Sequence, residues 1–289
     1  MTKHTHDGCT STQGSGAPRL RVLLAVLAVS TIVLPMLFGA PADGGDEERW
    51  RITGFYWYAQ YSGTIAGNGT DIDVNTDLGF DHKSAFTGMI DYRLGRRHHL
   101  FVLITPLDAS EDQELSRQIE YQGEVFEVGT KISSSLKTWN VAPGYQFDIL
   151  RRKSGNLGVL LQVNLLDIEG SISGVATIQG QDGTDAREVT ATGSVFAPLP
   201  VGGVQGRYYL TPESRRIYVD GFLKGMYFFD YGNYMSAQGL IGVKLAPYVN
   251  LCAGYQVGSR TVIHAGEDEA EFDVKVTQRG PIFGVQFDF

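Results

Sequence analysis

RGPIFGVQFDF, residues 279–289, closes the chain and decides how the rest is read. Side chains alternate across an extended strand, so Phe283, Val285, Phe287 and Phe289 share one face while Gly280, Gly284, Gln286 and Asp288 share the other. Ile282 is the one apolar residue on the polar face. A terminal strand of a soluble domain normally frays into water and needs no belt of aromatic groups. The residues alone leave a second reading open, the edge strand of a soluble sandwich.

This ending resembles the terminal strand of bacterial outer-membrane β-barrels, which finish on Phe and are read by the assembly machinery through the same alternation. The resemblance implies an all-β fold: a closed antiparallel up-and-down transmembrane barrel. It also implies, as partners, the barrel-assembly machinery during insertion and outer-membrane lipid with lipopolysaccharide afterwards. Its assembly-signal residues here are Phe283, Val285, Phe287 and Phe289. The specific motif is the closing strand alone, so no subfamily is implied.

The start of the chain fits export. Arg19 and Arg21 precede an apolar run from Val22 to Phe38, and Ala40-Pro41-Ala42 has the small-residue pattern of a cleavage site. Residues 1–42 are expected to be a signal peptide with a polar extension, or the true start lies later, and residues 43–289 to be the barrel domain. Pro35 and the cleavage pattern argue for removal rather than retention as a membrane helix, and no other stretch is as apolar. Losing Lys3, Arg19, Arg21 and Asp7 leaves 21 basic and 31 acidic residues, a formal charge of about −10 that disfavours nucleic-acid binding. Of the two cysteines, Cys9 leaves with the signal, so Cys252 has no partner for an internal disulfide.

A mean hydropathy of −0.10 is too low for membrane helices but suits a barrel wall, where every second residue faces lipid. The alternation marks about ten strands, with eight or twelve as alternatives. Phe86, Ile90, Tyr92 and Leu94 oppose Thr87, Met89, Asp91 and Arg93; Trp139, Val141, Tyr145, Phe147 and Ile149 oppose Thr138, Asn140, Gln146 and Asp148. Leu157, Val159, Leu161, Val163 and Leu165 face out against Gln162 and Asn164. Ile217, Val219, Leu223, Tyr227 and Phe229 oppose Tyr218, Asp220, Phe222 and Lys224; Met235, Ile241, Val243 and Leu245 oppose Ser236, Gln238 and Lys244; Leu251, Tyr255 and Val257 oppose Asn250 and Cys252. The segments Trp50–Ser62 and His99–Leu107 are too apolar throughout for a face to be assigned. Residues 63–83, 108–131 and 167–193 read as long loops, with a short strand possible at Gln122–Val128, and Pro198 with Pro200 as a bulge or a stretch beyond the sheet.

An even strand count puts both termini on one side. The short connections hold Arg96, Arg97, Arg151, Arg152, Lys153 and Arg215, whereas the long ones are acidic, among them Asp71, Asp73, Asp77, Glu111, Asp112 and Glu267. In barrels of this kind short turns face the periplasm and long loops the exterior, which sets basic groups against anionic lipid heads.

The inward polar candidates are Asp91, Arg93, Asp148, Asp220, Lys224 and Lys244. A wall of eight to ten strands encloses little more than its own side chains, and charges in so narrow a space pair. The expected function is a structural or narrow-pore outer-membrane protein, plugged or nearly so, with a cation preference from the acidic rim if it conducts.

No catalytic, cofactor or metal residues are assigned. Asp71-x-Asp73-x-Asn75-x-Asp77 starts like a calcium loop, but Thr76 and His82 stand where Gly and a bidentate Glu belong. A rim hydrolase would have to use His82 or His264, since His98 and His99 sit beside a short turn. Gly170–Gly174 and Gly202-Gly203 follow no strand-to-helix pattern, and Cys252 reads as a small filler. Two rivals therefore stand: an outer-membrane hydrolase, and a soluble periplasmic sandwich or ligand-binding barrel with its apolar faces inward.

Overall fold

The computed structural model describes residues 49–67, 71–121, 124–180, 183–228, 232–262 and 272–289. The expected signal segment, Phe229, His264 and Glu267 lie outside them. Among the described residues the elements are all strands: β1 (Trp50–Gly67), β2 (Ile72–Asp73), β3 (His82–Arg93), β4 (His98–Glu114), β5 (Ile119–Tyr121), β6 (Glu124–Phe126), β7 (Lys131–Arg152), β8 (Gly155–Gly180), β9 (Gly183–Tyr209), β10 (Ile217–Phe228), β11 (Gly232–Ala246), β12 (Val249–Val262) and β13 (Phe272–Asp288).

Ten of these form the wall. Each pairs antiparallel with its neighbours in the order β1, β3, β4, β7, β8, β9, β10, β11, β12, β13, and β13 returns to β1. At the seam the Trp50 amide donates to the Phe289 carbonyl at 3.0 Å, and the Phe289 amide donates to the Trp50 carbonyl at 2.8 Å. The chain is thus a closed up-and-down barrel, with every wall strand paired on both sides at the level of the short turns. The short β2 pairs β1, and the β5–β6 hairpin attaches to β8.

Around the half that carries Trp50, Phe289 and the short turns, apolar side chains face out. Phe86, Leu161, Ile241, Phe283 and Phe287 are exposed, and the side chains between them in sequence face the lumen. Phe287, Val257 and Leu161 point away from the axis and share no core. Exposed Tyr208, Tyr248 and Phe289 rim this belt at the turn end; Tyr58, Trp139 and Tyr227 rim it at the other. The two unassigned segments are now settled. Phe55, Trp57 and Tyr61 face in and Tyr56 and Tyr58 out, while Phe101 and Leu107 face in and Ile104 out.

The sequence reading of the long loops needs correction. β8 is 26 residues long and β9 is 27, whereas a bilayer needs only about 9–11 tilted residues. Much of 167–193 is therefore a continuous ladder, Asp167↔Phe196 up to Gly180↔Gly183, standing beyond the belt. Likewise β1 runs on to Gly67 and β4 to Glu114.

These extensions invert the pattern. In β8 the outward Leu157–Leu165 series stops, and Leu166 and Ile172 become the buried residues, on the opposite parity. In β7 the change falls at Trp139: below it Asn140, Gln146 and Asp148 face in, above it Ile132 does. A search at fixed phase loses the strand at that point, because one shared face no longer collects the apolar residues.

Pro198 and Pro200 do not bulge out of the sheet. They pair with Leu165 and Val163 in a β8–β9 register without a shift. Tyr209 donates its amide to Ser154 beside β8, whereas Leu210 donates to Ile217 of β10, so even-numbered residues of β9 aim their amides away from β8. Proline at positions 198 and 200 costs no β8–β9 hydrogen bond. It explains instead why the β9–β10 ladder ends at Gly202↔Gly225.

Candidate functional site: the lumen

Three tiers of side chains fill the barrel. At the turn end, Arg207 donates from Nη2 to Asp220 Oδ2 at 2.7 Å and to Gln286 Oε1 at 2.8 Å, with its guanidinium 4.0 Å above the Tyr218 ring. Arg51 Nε donates to Asp288 Oδ1 at 3.0 Å, and Asn250 Nδ2 donates to Asp288 Oδ2 at 2.8 Å. His99 lies between two carboxylates, Nδ1 at 3.2 Å from Asp91 and Nε2 at 3.3 Å from Asp148. Asp148 also accepts from Gln146 and Asn156. These contacts give the buried charges opposite partners, and a carboxylate with several donors needs no water to satisfy it. Around them is a cavity of about 90 Å³.

In the middle tier amides and aromatic rings alternate. Lys224 Nζ donates to Gln162 Oε1 at 3.2 Å and stands 4.4 Å over the Phe222 ring; Gln162 donates to Asn164, and Gln238 to Gln256. Inward glycines make room for the rings: a Cβ on Gly242 would collide with Tyr218 and one on Gly144 with Phe101. The cavity here is also about 90 Å³. It is lined by Trp57, Asn140 and Tyr218, whose Nε1, Oδ1 and Oη have no hydrogen-bond partner among the described residues.

The far tier is apolar. Ile72, Val74, Leu78 and Phe80, from the segment between β1 and β3, pack with Leu115, Ile119, Tyr121 and Phe126, from the segment between β4 and β7. Both groups lie against Tyr61, Leu107, Ile132 and Ile172 of the wall. A cavity of about 80 Å³ remains between cap and wall. Asp77 is 1% exposed and holds the first segment in place, accepting from Arg117 Nε at 3.2 Å and from the Asp73 amide at 2.8 Å. Hydrogen bonding to Asp77 raises the Arg117 guanidinium above its ordinary range, and burial raises the Tyr121 hydroxyl. The candidate calcium carboxylates are thus spent on local structure: Asp77 on Arg117, and Asp73 Oδ1 on the amides of Asn75 and Thr76. Among the described residues no group of three or more acidic, His or Cys side chains is placed to hold a metal.

Of the six inward candidates, Asp91, Arg93, Asp148 and Asp220 line the turn-end cavity, and Lys224 lines the middle one. Lys244 is half-buried beside a register shift at Lys244/Ala246 and lines neither. Cys252 is buried in the middle tier. His82 Nδ1 is 2.9 Å from Asp81 Oδ2, but its ring stacks on Tyr58 on the outer wall, and it lines none of the three cavities. Sequence reasoning passed over Arg51 and His99, which sit in the two segments whose faces were not assigned, and Arg207, in the Pro198/Pro200 segment that was read only as a bulge or a stretch beyond the sheet. It also passed over the apolar cap, whose residues were assigned to solvated loops.

No family model matches the chain, and no curated protein matches it. Among solved structures it is similar to the outer membrane protease OmpT from Escherichia coli, at 9% identity over 86% of this chain and 99% of that one, with a TM-score of 0.49. It is also similar to the translocator domain of the autotransporter NalP from Neisseria meningitidis, at 10% identity over 98% and 100% of the two chains, TM-score 0.40. Neisserial surface protein A matches at 10% identity over 85% and 100% of the two chains, TM-score 0.33. Similarity at this level says nothing about activity.

Proposed function

We propose that the protein is an integral β-barrel of the bacterial outer membrane, serving a structural or narrow-pore role, with a lumen closed by its own side chains. The observation that carries this is the inverted belt: large apolar residues outward on every wall strand, over paired charges and amides inward. In water such a surface would be an apolar patch far beyond what a soluble monomer tolerates, whereas against acyl tails it is at home. A soluble ligand-binding barrel would require the opposite arrangement at that level.

The closed-lumen part rests on the cavities. Each holds only a few waters at about 80 to 90 Å³, well short of the roughly 300–1,000 Å³ of a solute site. In this reading the basic turns face the periplasm and the acidic loops the exterior, and any residual conductance prefers cations. Outer-membrane lipid and lipopolysaccharide surround the belt, and the assembly machinery reads Phe283, Val285, Phe287 and Phe289 in β13. A hydrolase reading has His82 and Asp81 in its favour, but the pair faces outward and lines none of the three cavities described, so it is not the reading adopted.

The test is expression in a Gram-negative host. The protein should stay in the membrane fraction through a carbonate wash, migrate faster on gels when unboiled, and give planar-bilayer conductance far below that of an open porin. Release by carbonate would overturn the membrane reading. Large, stable conductance would overturn the closed lumen alone.

A further inference from the structure

The ring of ten strands is closed through the belt, but not above it. β9 continues upward from Gly202 to Gly183 beside β8, and among the described residues no strand pairs with its other side there. The parity set by Tyr209 and Leu210, carried by a register without shifts, aims the amide and carbonyl groups of Glu188, Thr190, Thr192, Ser194 and Phe196 at that open side. An edge of this kind is a template for another strand, and proteins usually blunt it with proline, charge or a bulge. Pro198 and Pro200 guard its lower end. The stretch above them, Glu188-Val-Thr-Ala-Thr-Gly-Ser-Val-Phe-Ala197, has one charge and no proline.

The two faces of the edge differ as well. Ala191 is buried in the apolar cluster of the far tier, with Val189 packed against that cluster, and Ala197 is buried beside Leu166 and Leu199. Thr190, Thr192 and Ser194 are exposed on the outside. A strand added here would extend the apolar core with every second side chain and meet solvent with the others.

We propose that the upper edge of β9 is a strand-addition site for an extended peptide segment of a partner protein, alternating apolar and polar residues. A second copy of this chain fits less well. Two copies inserted the same way up present the same edge with strands running in the same direction; antiparallel pairing of identical edges needs one copy upside down, and parallel pairing needs the copies displaced along the strand by one residue, because both aim the same parity of residues at the seam. That preference rests on the membrane reading; the open edge itself does not.

The experiment is residue-resolved amide exchange on the full chain in lipid nanodiscs, with and without a short synthetic peptide alternating valine and threonine. In the free protein, the amides of Thr190, Thr192 and Ser194 should exchange fast while those of Val189, Ala191 and Gly193 are protected by β8. The peptide should slow the first set. A twin peptide N-methylated on every amide should lose that effect, and Thr192→Pro, which removes an outward amide without touching the β8 ladder, should lose binding while keeping the faster unboiled migration. If Thr192→Pro fails to fold, the methylated twin still decides. Protection of the even-numbered amides in the free protein, or equal effects from both peptides, would overturn the proposal. A dimer abolished by Thr192→Pro would transfer the edge to a second copy, and only carbonate release in the same preparation would also sink the membrane reading.

Discussion

The lower and upper halves of one wall obey opposite rules. Along β8, Leu161 looks outward at 66% exposure and Gln162 is buried; ten residues beyond Gln162, Ile172 is buried at 3% and its neighbours Ser171 and Ser173 face the other way. The backbone does not change between these points, and the β7–β8 and β8–β9 ladders run through both. On the proposed membrane reading, what changes is the surroundings of the outer face. Against acyl tails the wall puts its apolar groups outside and pairs charges within; above that level it is built like a water-soluble barrel around an apolar core. Strand geometry fixes that side chains alternate, and the solvent fixes which set is apolar.

Substitutions can break this contrast by acting in one half alone. The largest effect is expected in the turn-end network. Asp220→Leu leaves the buried Arg207 without its closest carboxylate, which should cost about 3–5 kcal/mol in urea titrations of the protein folded into lipid vesicles. Phe126→Ala removes a fully buried ring from the far-tier core and should cost about the same, roughly 3–5 kcal/mol. The two are separable by location: Phe126→Ala should expose the segments 71–81 and 115–130 to protease while the belt stays folded, and Asp220→Leu should not.

Next comes the belt. Leu161→Arg puts a cation among acyl tails and should destabilise by about 2–4 kcal/mol in vesicles. Had Leu161 faced water, the same change would be nearly silent. The smallest effect is expected at Lys137, exposed on the outer wall above Trp139 and 3.8 Å from Asp108; Lys137→Ala should stay within about 0.5 kcal/mol of the parent. A large loss at Lys137 would mean that the outer wall is buried above the belt, erasing the distinction between the halves.

The same contrast explains what could be read from sequence. The belt was legible because it repeats one phase across many strands: residues 283–289, 157–165 and 251–257 give the same answer independently. Strand count and the inward place of Asp91, Asp148, Asp220 and Lys224 followed from that phase. The upper wall was not legible under the same rule, since Ile168 and Ile172 fall on the parity that Gln162 and Asn164 occupy below. Leu165-Leu166, two adjacent apolar residues where one series ends and the other begins, is the available signal, with Trp139 on the facing strand marking the same level. The cap gave no such mark: Ile72, Val74 and Leu78 alternate with Asp71, Asp73 and Asp77, and which set turns inward depends on Arg117, a partner some forty positions away that closes over Asp77. The turn-end network depends likewise on contacts between strands far apart in sequence, Arg51 with Asp288 across the seam and Arg207 with Gln286, which alternation cannot pair.

The inversion can be measured directly along the outer face of β8. Single cysteines at Leu157, Val159, Leu161, Glu169, Ser171 and Ser173, in a Cys252→Ala background in lipid vesicles, would be challenged with a water-soluble thiol reagent and, as spin labels, with dissolved oxygen. The first three should resist the reagent and show high oxygen contact, and the last three should react quickly and show little, with the change between Leu161 and Glu169. Uniform reactivity along all six positions would contradict a wall that changes solvent partway up.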